Sequence, residues 1–184
     1  MNTRKAKKRV LEALSPTEKA GVLADLLTAH PELVEDAERL ATARLEHVDR
    51  ADVAEEVAWA LQSLTVEEVW ERGHQEPGFV HENEAAFMAG EGVVQPYLDD
   101  MRRAAALGMD ETACETCWGV LLGLYECRDL DDDSGLGRAP APDFTTEHAV
   151  YVLGELRGAG LDLPRDAPAA EMPEWSALLR RQSP

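Results

Sequence analysis

Cys114 and Cys117 stand three residues apart, the spacing at which two thiolates share a zinc ion or close a redox disulfide. Both belong to a stretch that turns almost wholly apolar at Trp118 to Tyr125, and no second Cys-x-x-Cys or Cys-x-x-His completes a set of four ligands. With Cys127 they make three cysteines in one short region, unlike the even, dispersed set of a disulfide framework. The spacing therefore reads as core cysteines in a reducing compartment. A metal or redox centre using Cys114 and Cys117 with a nearby histidine is the alternative.

Other chemical spellings stop short of completion. Glu71-x-x-His74 has the carboxylate-imidazole step of a di-iron helix, but such a bundle needs a second copy and further glutamates on other helices. His81-Glu82-Asn83-Glu84-Ala85 begins like a zinc-protease helix and then has Ala85 where the second histidine belongs. Asp129, Asp131 and Asp133 alternate as in a calcium loop, yet Ser134 and Pro140 occupy the positions that require glycine and glutamate. Gly90-Glu91-Gly92 and Gly135-Leu136-Gly137 lack the third glycine of a phosphate cradle. No nucleophile with an adjacent base is legible, so the chain reads as a non-enzyme with no catalytic residue, no metal and no cofactor.

The remaining candidate is a contact surface. From Gly73 to Asn83 the helical periodicity stops, and Pro77-Gly78 marks a turn carrying His74, Phe79 and His81 just after Trp70. Loops held between rigid helices commonly carry function, which makes Trp70, His74, Phe79 and His81 the candidate binding residues. The plainer alternative is that Trp70 and Phe79 seal the end of a helix pair.

Charge bounds the partners. Thirty-six acids against eighteen bases give a net charge of −18, which argues against a general nucleic-acid binder or a protein of anionic membranes. Arg4, Lys5, Lys7, Lys8 and Arg9 hold five of the bases, leaving thirteen bases against all thirty-six acids in the rest, or −23. This basic arm could grip nucleic acid or an acidic partner, its plainer reading being a helical N-terminus folded back on the chain's own acidic body, and the body itself could mimic nucleic acid toward a basic protein. The longest nearly unbroken apolar run, 118–125, is far short of the roughly 20 residues that span a bilayer. No export signal follows the basic start, so a cytoplasmic protein without a membrane is expected, its partner another protein and its oligomeric state open.

Helix punctuation recurs along the chain. Ser15-Pro16-Thr17-Glu18 and Thr65-Val66-Glu67-Glu68 both spell a capping box, and His30-Pro31 marks a boundary. Val22, Leu23, Leu26 and Leu27 form one stripe, and Leu33, Ala37, Leu40, Ala41, Leu45 and Val48 another, predicting an antiparallel helix pair with almost no loop. Val53, Val57, Ala60, Leu61 and Leu64 define a third helix. Residues 84–107 read as helix with a kink or break near Gly92, caused by Pro96. Asp110 should cap a helix to Cys127 that is apolar on nearly every face and hence central; Thr145 should cap another, ended at Gly158. Only ten aromatic residues occur, so Leu, Val and Ala must fill the core, and alternation fails throughout, so no strand is expected.

Leu14-Ser15-Pro16-Thr17-Glu18 followed by Leu23-x-x-Leu26-Leu27-x-x-His30-Pro31-Glu32-Leu33 resembles the helical segments of HEAT-like superhelices, including those attached to bacterial and archaeal SWIM-type zinc-finger proteins. The resemblance covers about the first fifty residues and leaves out the zinc-finger residues themselves. It implies stacked helix pairs that present a surface to a partner. The expectation is thus an all-α chain of about eight helices, stacked as antiparallel pairs in a right-handed superhelix or an irregular bundle. It forms one domain over 1–184, with a basic arm at 1–9, an acidic Pro/Gly loop at 129–142 and a loosely attached segment at 163–184. Its expected role is a protein-interaction module.

Overall fold

The computed structural model describes residues 10–73, 82–129, 144–164 and 170–181, and every regular element among them is helical. The chain is all-α. It gathers into two compact units, residues 1–45 and 46–184.

In the first unit, α1 (Pro16–Ala29) starts as its spelling requires: the Glu18 backbone N–H donates to Ser15 Oγ at 3.3 Å, and the Ser15 backbone N–H donates to Glu18 Oε2 at 2.8 Å. The helix ends before Pro31, and a single 3-10 turn, Pro31–Leu33, leads into α2 (Val34–Leu45). The two helices meet chiefly at this turn instead of packing side by side as a hairpin. Neither contains a buried residue. The stripes are present at the expected spacing, but they face water.

The second unit holds the core. Asp49 caps α3 (Arg50–Ser63) by accepting from the Ala51 N–H at 2.8 Å, and α3 buries Ala54, Val57, Ala58 and Leu61. Thr65 and Glu68 form the second capping box at the start of α4 (Val66–Gly73). α5 (Glu82–Ala106) is one helix through Pro96, so the expected break does not occur. Pro96 removes one backbone donor, but Val94, Leu98 and Met101 on either side are fully buried, and this packing outweighs one lost hydrogen bond. Gly108, with φ of 73°, reverses the chain in the left-handed region.

α6 (Asp110–Glu126) is central, as its all-round apolar surface requires. It packs against α3, α5 and α7 (Phe144–Gly158). Asp110 is its first residue and not its cap; Met109 occupies the cap position and makes no side-chain bond there. Thr145 likewise lies within α7 and is buried. α6 approaches α3 closely at two glycines. A Cβ on Gly123 would lie 2.7 Å from the Ala54 carbonyl oxygen and 2.8 Å from Val57 Cβ, and one on Gly119 would lie 2.7 Å from Val53 Cβ. Two glycines four apart thus let the helix backbones touch.

Of the segment expected to be loosely attached, the described residues 170–181 are anchored. A 3-10 turn, Pro173–Trp175, leads into α8 (Ser176–Arg181); Met172 is fully buried, and Trp175 meets Tyr125 edge to face at 5.3 Å. Its few apolar residues are spaced to reach one patch of the core, which the surrounding prolines obscured.

Candidate functional site

Of the four residues expected to bind, Trp70 lies on α4, while His74, Phe79 and His81 fall outside the described residues. The acidic stretch 130–143 falls outside them too.

The cysteines are placed by α6 and its end. Cys117 is fully buried, Cys127 nearly so and Cys114 partly exposed, all three as free thiols. Burial pushes the Cys117 thiol far above its ordinary range and the Cys127 thiol up to about 11, while burial and the nearby Asp110, Glu115 and Asp162 raise Cys114. Cys127 Sγ donates to the Ala58 carbonyl at 3.6 Å, and Cys114 Sγ to the Asp162 carbonyl at 3.7 Å. Both metal binding and thiol exchange use the thiolate, the form this surrounding disfavours. Among the described residues, no group of three or more His, Cys, Asp or Glu side chains is placed to hold a metal ion.

His148 is a fully buried histidine in the core. It sits between the rings of Phe87 and Phe144, at 4.2 and 4.4 Å between centroids. Its Nδ1 is 3.0 Å from the Phe144 carbonyl oxygen and its Nε2 3.1 Å from that of Phe87. A neutral imidazole has one N–H and donates to only one of them. Burial nonetheless lowers the His148 pKa, against the upward pull of the two carbonyls and of Glu91 and Glu147. A Cβ on Gly90 would strike Phe144 Cζ at 2.3 Å, so that glycine makes room for the stack. The arrangement joins α5 to α7 and offers no open face to a substrate.

An open cleft of about 740 Å³ beside the start of α6 is lined by the carboxylates of Glu46, Asp110, Glu111 and Glu115. Behind it, the Arg50 guanidinium lies 4.0 Å over the Trp118 ring and reaches Glu171 at 3.3 Å and Glu115 at 3.9 Å, tying α3 to α6 and the C-terminal segment. Of the cleft carboxylates, Glu115 is paired in this way, while the Trp118 Nε1 is buried without a hydrogen-bond partner among the described residues.

Several large apolar side chains are also left open among the described residues. On α1, Val22, Leu23 and Leu26 are 43%, 51% and 44% exposed, and on α2 Leu40 is 61% exposed. On α3, Trp59 is 70% exposed beside Glu55 and Glu56. The helical stripes of α1 and α2 were legible in sequence, but periodicity marks an apolar face without saying what covers it. Trp59 lies outside every stripe; a tryptophan among glutamates on a helix is the one signal that could have drawn notice.

Comparison with known proteins finds no matching family model, no matching curated protein and no matching solved structure.

Proposed function

We propose that the chain is a non-enzymatic protein-interaction module that docks through the apolar faces of α1 and α2. One observation carries this reading: two helices with well-formed apolar stripes bury no residue at all. Helices of 14 and 12 residues are marginal in water without tertiary packing, even with a capping box at one end. These leucines keep about half of their surface in water, and covering the remainder would stabilise a complex by about 1 kcal/mol each.

A photoreactive amino acid at position 23, introduced into the full chain in the cells that make it, tests the proposal. A covalent product containing a second polypeptide is expected. A chain that stays uncrosslinked, or crosslinks only within itself, would contradict it. The contact is apolar, so the purified complex should persist at about 0.5 M salt, where screening reaches only a few ångströms. A complex held by the acidic body, as in nucleic-acid mimicry, should fall apart there.

A further inference from the structure

We infer that the occupant of the α2 face is a second copy of this chain, bound antiparallel across a two-fold axis near Leu40. This rests on the docking role given above and names its partner. Leu40 lies at the middle of α2, since Val34 is six residues before it and Leu45 five after, and it is the most exposed of the large apolar residues on α1 and α2.

The charges around Leu40 are arranged to complement themselves. Asp36 lies four residues before Leu40 and Arg44 four residues after, one helical turn to either side on the same face. Glu35 and Asp36 fill the first turn, and Arg44 is the base of the last. Asp36 already accepts from Arg39 Nη2 at 2.9 Å in an exposed pair of its own helix, and a carboxylate can accept a second guanidinium; turning a copy of α2 by 180° about an axis through Leu40 brings each Asp36 opposite the partner's Arg44, and sets the acidic start of each helix beside the basic end of the other. The two helix dipoles then run antiparallel as well. A two-fold interface repeats every contact twice, so one leucine and one charge pair count double.

Charge at the larger scale singles out this unit for self-association. Residues 1–45 hold eight bases and seven acids, whereas residues 46–184 hold ten bases and twenty-nine acids. Two copies of the second unit repel each other; two copies of the first are close to neutral. Among the described elements, α2 thus combines an uncovered apolar centre with a self-complementary flank, in the less acidic of the two units.

Sedimentation velocity on the full chain tests this. The wild-type chain should form a dimer of twice its 20.2 kDa mass, dissociating on dilution. Leu40→Asp should weaken the dimer about a hundredfold or more, because it removes two buried leucines and places two carboxylates at the axis. Arg44→Asp should weaken it about tenfold, and the double variant Asp36→Arg, Arg44→Asp should restore it, since both pairs then reverse together. Circular dichroism on each variant should keep the helix of residues 46–184, and any loss should not exceed what the 14 and 12 residues of α1 and α2 contribute.

A wild-type chain that remains monomeric at about 0.1 mM would overturn the inference, as would a dimer indifferent to Leu40→Asp or a double variant no stronger than Arg44→Asp. A monomer that crosslinks at position 23 to a different protein would sink the second copy while leaving the docking role intact. A monomer that fails to crosslink would sink both.

Discussion

His148 shows how one side chain is decided by two opposing terms. Two carbonyl oxygens favour a doubly protonated ring, yet full burial between two phenylalanine rings disfavours the charge, and burial prevails. The folded pKa lies below the unfolded value of about 6.5, so the folded chain refuses a proton that the unfolded chain accepts. Stability contributed by neutral His148 is complete above about pH 6.5 and is lost as pH falls below it, with a slope of at most about 1.4 kcal/mol per unit. Urea unfolding between pH 8 and 5.5 should show this decline, and His148→Gln should be less stable at pH 8 but flatter across that window. A wild-type curve that is level to pH 5.5 would contradict the assignment.

The cysteines make a second prediction at this scale. Iodoacetamide at pH 8 should modify Cys114 slowly and leave Cys117 and Cys127 untouched until the chain unfolds, as read by peptide mass mapping. Rapid formation of a Cys114–Cys117 disulfide in the folded protein would restore the redox interpretation. Gly123 is a third case. Gly123→Ala would press a methyl group against the Ala54 carbonyl and the Val57 side chain, costing about 1–3 kcal/mol in denaturant unfolding despite the better helix propensity of alanine. A more stable variant would mean that the backbones of α3 and α6 separate cheaply.

Among the elements, local signals were the most legible. The capping boxes at Ser15 and Thr65, the stop before Pro31 and the all-round apolar character of α6 are written in a few adjacent residues, and all four appear in the structure. Misreadings came where packing overrules local preference. Pro96 is tolerated because buried neighbours hold α5 together, and Thr145, which spelled a cap, lies inside α7. The pairing of α1 with α2 depended on which way two stripes face, and periodicity is silent on that. The α6 glycines looked like interruptions in an apolar run, whereas their use, a close approach to α3, exists only once both helices are in place. Of the candidate site, the apolar stripes of α1 and α2 were visible and their exposure was not.

For the molecule as a whole, stability is unevenly distributed. Residues 46–184 contain every buried side chain among the described residues, and residues 16–45 contain none. Acidity follows the same division, concentrated in the unit with the core. A partner that covers α1 and α2 would therefore order the part of the chain least able to order itself. That is why the central claim concerns the first unit and not the acidic cleft or the buried thiols.

Hydrogen exchange of the full chain, followed by mass spectrometry across a dilution series, tests that claim most directly. Amides of α6 should exchange slowly at every concentration, while those of α2 should exchange fast when dilute and become protected as concentration rises. Slow exchange in α2 at the lowest concentration, or fast exchange there at the highest, would contradict the account.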